Sequence, residues 1–180
     1  LEHMLFNGTE QFPENELIAV LRSFGAAFGA DINAYTSYDE TVYQLTMPTE
    51  DDAVVETGLD VLEQWLSAAT IDQAQVEAER GVVVDEWRGS QASSDGRIFD
   101  GLEELFLTGS PYEGRDPIGS DDAIEAMDAE PLRAFYDDWY RPDNAAVIVV
   151  GDIDPGKIEQ GLIDRFAPLT SRGSSPERPE

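Results

Sequence analysis

The 180-residue sequence has no cysteine, a single histidine and a single lysine. Without cysteine the chain can form no disulfide bond, no zinc site built on thiolates and no cysteine nucleophile. No apolar run approaches the roughly 20 residues that a membrane-spanning helix needs, so the sequence predicts a soluble globular segment. These absences fit a cytoplasmic or an extracytoplasmic location, and we lean towards the extracytoplasmic one.

Basic residues are also scarce, since 11 lysines and arginines stand against 38 aspartates and glutamates, giving a net charge of −27. A surface of this sign repels phosphate backbones, which argues against a nucleic-acid partner. The acidic residues are scattered along the chain and form no long block. This pattern favours an ordinary solvated surface over a site for basic ligands or an adaptation to high salt.

The spacing of apolar residues predicts both helices and strands. Helices are predicted over the ranges 13–28, 121–127, 130–138 and 154–166. Two more are predicted from their N-terminal caps: one begins after a capping-box pattern at 49–52, and the other begins at Asp72. A hairpin is predicted over 31–49, with its turn near Ser37–Glu40, and the continuous apolar run Ala145–Val150 predicts a strand buried on both faces. The sequence therefore predicts an α+β fold, an antiparallel or mixed sheet packed with helices, with one domain over 1–168 and a linker-like tail over 169–180.

Two acidic residues in the stretch ERGVVVDEW stand out because they are seven positions apart. Glu79 and Glu86 would lie on one helix face, about 10 Å apart along the axis. They are therefore poor candidates to bind one ion side by side, but one could be a metal ligand while the other orients a neighbouring ligand. A plain solvated face, with Arg80 paired to a nearby acid, is the simpler alternative.

The lone histidine, His3, is by itself weak support for a metal site, but Glu2 precedes it and an apolar stretch follows. The segment LEHMLFNGT resembles the tail of the HFLEHMLFNGT motif of the pitrilysin/insulinase family of zinc metallopeptidases, peptidase family M16, which includes the mitochondrial processing peptidases. The later stretches NAYTSYDETVY, ERGVVVDEWR, the PIG of RDPIG, and NAAVIVVGDIDP also resemble that family, in the same order. The match runs along nearly the whole chain, so it is more specific than one short motif.

This resemblance implies the residues of a zinc site with an inverted His-x-x-Glu-His motif. Glu2 matches the general base and His3 the second histidine ligand, so the chain is expected to begin just after the first zinc histidine. Glu86 matches the glutamate ligand, and Glu79 matches the acid that supports the site. The gap between His3 and Glu86 is longer than is usual in the family, so either acid could be the ligand, and the order of the pair favours Glu86.

The resemblance also implies a substrate and a partner. Asn33, Ala34 and Tyr35 begin the hairpin beside the zinc, where family members bind an extended peptide as an added strand, although an ordinary edge strand explains the same residues equally well. A second domain of similar fold would close over the peptide. We expect a zinc-dependent endopeptidase domain, which on its own holds zinc weakly or not at all and is inactive. The alternatives are a non-catalytic subunit of the same family, which binds peptide or has a structural role, and an acidic, salt-adapted structural domain.

Overall fold

The computed structural model describes residues 1–14, 16–172 and 177. Its elements, in chain order, are α1 (Glu2–Asn7), α2 (Glu16–Ser23), β1 (Ile32–Thr36), β2 (Thr41–Leu45), α3 (Asp52–Ser67), α4 (Gln73–Ala92), α5 (Ser94–Leu107), α6 (Asp121–Glu125), α7 (Ala129–Trp139), a 3-10 turn (Pro142–Asn144) and α8 (Pro155–Phe166). Helices and a small antiparallel sheet are thus combined, and the predicted α+β class is confirmed. None of the helices within these residues is long and apolar enough to cross a membrane.

The predicted hairpin is confirmed as the antiparallel pair of β1 and β2. Its register places Ile32 opposite Leu45 and Thr36 opposite Thr41. The Ser37 amide donates to the Glu40 carbonyl at 2.8 Å and closes the turn where the sequence predicted it. The hairpin is therefore a fixed element, which presents the outer edge of β1 to its surroundings.

Most helix ends follow local sequence signals. Asp72 accepts a hydrogen bond from the Gln75 amide at 2.9 Å and starts α4, as predicted. The helix α3 is capped by Asp51, which bonds the Ala53 amide, and not by the first residue of the predicted capping box. The predicted helix over 13–28 is shorter than expected, because Gly25 adopts a φ of 91°, which ends α2 and turns the chain towards β1.

The core holds α1 in place through its apolar residues. Met4, Leu5 and Phe6 are all buried. The Phe6 ring packs edge-on against Trp65 of α3 at 5.4 Å between centroids, and the Trp65 indole N–H donates to the Leu5 carbonyl at 3.0 Å. A six-residue helix is too short to be stable alone, so its orientation depends on these contacts.

The predicted strand over Ala145–Val150 is wrong for this structure. No strand among the described residues pairs with this run, and Ile148 and Val150 are 83% and 90% exposed. Ala145, the first residue of the run, has an extended backbone, with φ and ψ of −120° and 153°. A strand also requires hydrogen-bonding partners on a neighbouring strand, and the described sheet contains only β1 and β2.

Residues 173–176 and 178–180 of the predicted tail lie outside the described residues, so the linker assignment stays a prediction. The described part packs against the helices at Arg172. Its guanidinium stacks 4.6 Å from the Tyr136 ring centroid and donates to the carbonyls of Ser67 and Tyr140 at 3.0 and 2.8 Å. The chain is therefore anchored to the domain as far as Arg172.

Replacement of Tyr136 by Phe tests the polar part of the core. The Tyr136 hydroxyl donates to the Trp65 carbonyl at 3.0 Å and accepts from the Ala69 amide at 3.2 Å, and the side chain is 1% exposed. The variant leaves two buried backbone groups without this partner, so we expect a loss of about 1–3 kcal/mol in the free energy of unfolding. Urea denaturation measures the loss. Phe135→Tyr, at a half-exposed neighbouring position, is the control and should change stability little.

Candidate metal centre and active site

His3 lies between the two carboxylates that the sequence singled out. The helix α1 packs against α4, which brings together residues that are 76 and 83 positions apart in the chain. The His3 Nδ1 atom is 2.7 Å from Glu79 Oε1, and its Nε2 atom is 3.4 Å from Glu86 Oε2. The seven-residue spacing on α4 thus places one acid at each nitrogen of the ring.

The two acids have different surroundings. The second oxygen of Glu79, Oε2, accepts a hydrogen bond from the Asn7 side chain at 3.1 Å, and the Glu79 side chain is 21% exposed. The Glu86 side chain is 59% exposed, and its only ion pair among the described residues is with His3. With both oxygens engaged, Glu79 suits the role of an orienting group, whereas Glu86 keeps acceptor capacity for a metal ion.

The hydrogen bond to Glu79 also determines which nitrogen of the His3 ring is available to bind a metal ion. When Nδ1–H donates to Glu79, the Nε2 atom carries a lone pair and faces Glu86. A carboxylate on the far side of a ligating histidine fixes the ring orientation and raises its basicity. This is the arrangement in which an imidazole binds a metal through Nε2.

The donor set fits zinc in type and in spacing. Imidazole nitrogen and carboxylate oxygen are both common zinc ligands, at about 2.0–2.2 Å. Two such ligands on a tetrahedral ion would be about 3.3–3.4 Å apart, and His3 Nε2 and Glu86 Oε2 are 3.4 Å apart. No group of three or more His, Asp or Glu side chains that could hold a metal occurs in the part of the chain that the structure describes. Among the described residues, His3 and Glu86 are therefore the two candidate protein ligands.

Glu2 is next to His3 on α1, but its carboxylate turns towards the hairpin. The Thr36 hydroxyl donates to Glu2 Oε2 at 2.5 Å. Within the described ranges, no hydrogen bond or ion pair joins Glu2 to His3 or Glu86. The expected general base is therefore adjacent to His3 in the chain, and its carboxylate is hydrogen-bonded to Thr36 of β1.

The predicted substrate-binding residues lie on β1. The Ala34 amide donates to the Asn33 side-chain oxygen at 2.9 Å, so it is satisfied locally and not by β2. The Tyr35 side chain is 46% exposed, and its hydroxyl donates to Glu40 at 3.0 Å. The Glu40 carboxylate raises the pKa of that phenol through this hydrogen bond. The structure thus leaves one backbone donor of β1 directed away from the hairpin partner.

Sequence reasoning missed three kinds of contact around these residues. Asn7 lies four positions after His3, so helix spacing alone could have placed it on the same face. Thr36 carried no such signal, because its contact with Glu2 depends on how the hairpin packs on α1. Tyr43 and Tyr140 share a hydroxyl–hydroxyl hydrogen bond of 2.8 Å, and burial raises the pKa of both phenols, so both stay protonated near neutral pH.

Comparison with known proteins places these residues in a family. Residues 1–114 match the sequence profile of insulinase (peptidase family M16), and residues 126–179 match that of the peptidase M16 inactive domain. The probable zinc protease PqqL of Escherichia coli strain K12 is 38% identical over 178 residues, which are 99% of this chain and 19% of that protein. The chain therefore spans about a fifth of the length of this curated relative.

Solved structures agree with the sequence matches. The crystal structure of the first half of the periplasmic protease PqqL from Escherichia coli superposes with a TM-score of 0.92 at 38% identity, covering 98% of this chain and 38% of that one. A mutant of the ferredoxin protease FusC, in complex with Arabidopsis ferredoxin, superposes with a TM-score of 0.88 at 29% identity, covering 99% of this chain and 19% of that one. These relatives are proteases, and the resemblance seen in the motifs is confirmed. The chain belongs to the insulinase family, peptidase family M16.

Proposed function

We propose that this chain supplies the metal-binding and proton-accepting residues of a zinc-dependent endopeptidase. The observation that carries the proposal is the placement of His3 between two acids, with Nδ1 at 2.7 Å from Glu79 and Nε2 at 3.4 Å from Glu86. The membership of the M16 family and the zinc-protease names of its relatives support the same reaction.

Each residue has a separate task in this proposal. His3 and Glu86 hold Zn²⁺, and Glu79 keeps the ring of His3 oriented. Bound Zn²⁺ supplies the Lewis acidity that lowers the pKa of water to about 7 and so provides a nucleophile at neutral pH. Glu2 would accept, at Oε1, a proton from the water that attacks the peptide carbonyl, since Thr36 is bonded only to Oε2. It would pass this proton to the amine nitrogen as the peptide C–N bond breaks.

The outer edge of β1 is the proposed position of the substrate. The Ala34 amide lies on this edge, and a peptide carbonyl would replace the Asn33 side chain as its acceptor. Backbone pairing of this kind provides affinity with little demand on the peptide sequence. The alternative is an ordinary solvated edge. Loss of peptide binding when the Ala34 N–H is removed would support the substrate site, and unchanged binding would support the solvated edge.

A second domain of similar fold is the proposed partner. The matched crystal structure is described as the first half of its protease, and this chain covers 38% of it. Such a domain would enclose the peptide and supply groups that polarise its carbonyl. An extracytoplasmic location is also proposed, since the Escherichia coli relative is described as periplasmic.

Metal removal from the longer protein that carries this chain tests the proposal. We expect chelation to abolish cleavage of a quenched-fluorescent peptide, and stoichiometric Zn²⁺ to restore it, because the nucleophile depends on the ion. The 180-residue chain alone, with two candidate ligands where catalytic zinc has three, should show no cleavage. Cleavage that persists without zinc would contradict the proposal. A zinc-loaded protein that binds peptide without cleaving it would instead favour the non-catalytic subunit.

A further inference from the structure

The contact between Glu2 and the hairpin involves two hydroxyl groups at one position of the sheet. Thr36 is the last residue of β1, and it lies opposite Thr41, the first residue of β2. The Thr36 Oγ1 atom is 2.5 Å from Glu2 Oε2 and 3.3 Å from Thr41 Oγ1. The three side chains therefore form a short hydrogen-bonded row that ends on one oxygen of the carboxylate.

The direction of this row follows from the number of protons available. A threonine hydroxyl has one proton to donate, and an ionised carboxylate only accepts. Since Thr36 gives its only hydroxyl proton to Glu2, it can act towards Thr41 only as an acceptor. The short bond of this row is the one from Thr36 to Oε2 of Glu2, at 2.5 Å, and the Thr41 contact is longer, at 3.3 Å. The other oxygen, Oε1, has no hydrogen-bond partner among the described residues.

We propose that Thr36 is a positioning residue that acts through Glu2, an inference that rests on the proposed endopeptidase function. Glu2 is the first residue of α1, where no side chain caps the helix. Its three side-chain torsions would be free to rotate without the bond to Thr36. By fixing Oε2, Thr36 presents Oε1 in one orientation for proton transfer.

The same strand would also position the substrate. Ala34 and Thr36 are two residues apart on β1, so their side chains lie on the same face of the hairpin. A peptide paired with the edge at Ala34 would therefore be aligned to the element that holds the carboxylate. The rigid strand sets the distance between the bound peptide and the base, which is the kind of alignment on which proximity effects depend.

Thr36→Val and Thr36→Ser in the longer protein that carries this chain separate positioning from structural support. Valine keeps the β-branched shape and the strand preference of threonine but has no hydroxyl, whereas serine keeps the hydroxyl. We expect Thr36→Val to lower kcat roughly 10- to 100-fold with KM unchanged within about twofold, because the base is misplaced and substrate binding is not altered. Thr36→Ser should restore kcat to within about threefold of the original protein.

A readout that does not depend on activity completes the test. In a crystal structure of the Thr36→Val protein, we expect the Glu2 carboxylate in a different or a second rotamer, with zinc content and thermal stability unchanged. Thr41→Val is the matched control and should have a smaller effect, since Thr36 can still donate to Glu2. A kcat for Thr36→Val within twofold of the original, or a change confined to KM, would overturn the inference.

Failure of the proposed function would look different. If the original protein shows no zinc-dependent cleavage, the endopeptidase assignment is wrong, whatever the variants do. The rotamer of Glu2 then still decides the positional claim. An unchanged, single Glu2 conformation in the Thr36→Val crystal would show that Thr36 does not hold the carboxylate.

Discussion

Replacement of Glu2 by Gln in the longer protein is expected to lower peptide hydrolysis by about 10²–10⁴-fold, the usual contribution of a positioned general base. Glutamine has nearly the same shape and can still accept the hydrogen bond from Thr36, but its neutral amide cannot take up a proton. Since no hydrogen bond or ion pair joins the Glu2 side chain to His3 or Glu86 within the described residues, zinc affinity should remain. The expected result is therefore a metal-loaded protein with almost no turnover.

Steady-state kinetics and zinc analysis on the same preparation measure these two effects together. Glu10→Gln is the control. Glu10 is an exposed acid shortly after α1, so its replacement removes the same charge at a position outside the site. A Glu2→Gln protein that keeps its turnover would show that the general base is another group. Loss of zinc along with turnover would instead assign Glu2 to metal binding.

The juxtaposition of His3 with Glu79 and Glu86 could be predicted from sequence because two independent signals agreed. The heptad spacing placed both acids on one helix face, and the resemblance to the M16 motifs implied that this face meets His3. For the tasks proposed for the two acids, the sequence offered only the order of the pair in the resembling motif, which favoured Glu86 as the ligand. The structure adds that the Asn7 side chain donates to one oxygen of Glu79, whereas the only ion pair of Glu86 among the described residues is with His3, which supports the proposed tasks.

Features that depend on packing between distant segments could not be predicted in the same way. The Thr36–Glu2 contact arises because the hairpin packs on α1, and no local pattern encodes that approach. The run Ala145–Val150 has the composition of a buried strand, but composition does not specify which strand pairs with it. Its exposed Ile148 and Val150 show that β propensity alone does not produce a sheet.

Exchange of the two acids for glutamine, one at a time, should separate ligand from orienting group in the longer protein. Glu86→Gln replaces a charged carboxylate, the proposed metal ligand, by a neutral amide. In the original protein, Glu86 Oε2 lies 3.4 Å from His3 Nε2. We expect its zinc affinity to fall more than about 100-fold, beyond the ~10–100-fold cost of losing an orienting group. Competition with a chromogenic chelator measures both affinities.

Glu79→Gln should have the smaller effect on zinc, for a reason that the geometry makes explicit. One of its oxygens faces His3 Nδ1 at 2.7 Å and the other accepts from Asn7 at 3.1 Å. A glutamine cannot satisfy both donors, because its amide nitrogen must face one of them. The ring of His3 then loses its fixed orientation, so we expect a fall of about 10–100-fold in zinc affinity.

The variant with the larger loss of zinc affinity identifies which of the two acids is the metal ligand. If Glu79→Gln abolishes zinc binding while Glu86→Gln reduces it modestly, Glu79 is the ligand, as the shorter gap from His3 in the sequence would allow. In that case His3 would have to release its Nδ1 contact with Glu79 and bind the ion through a ring orientation other than the one seen here. Equal and small effects would contradict a zinc site at His3 altogether.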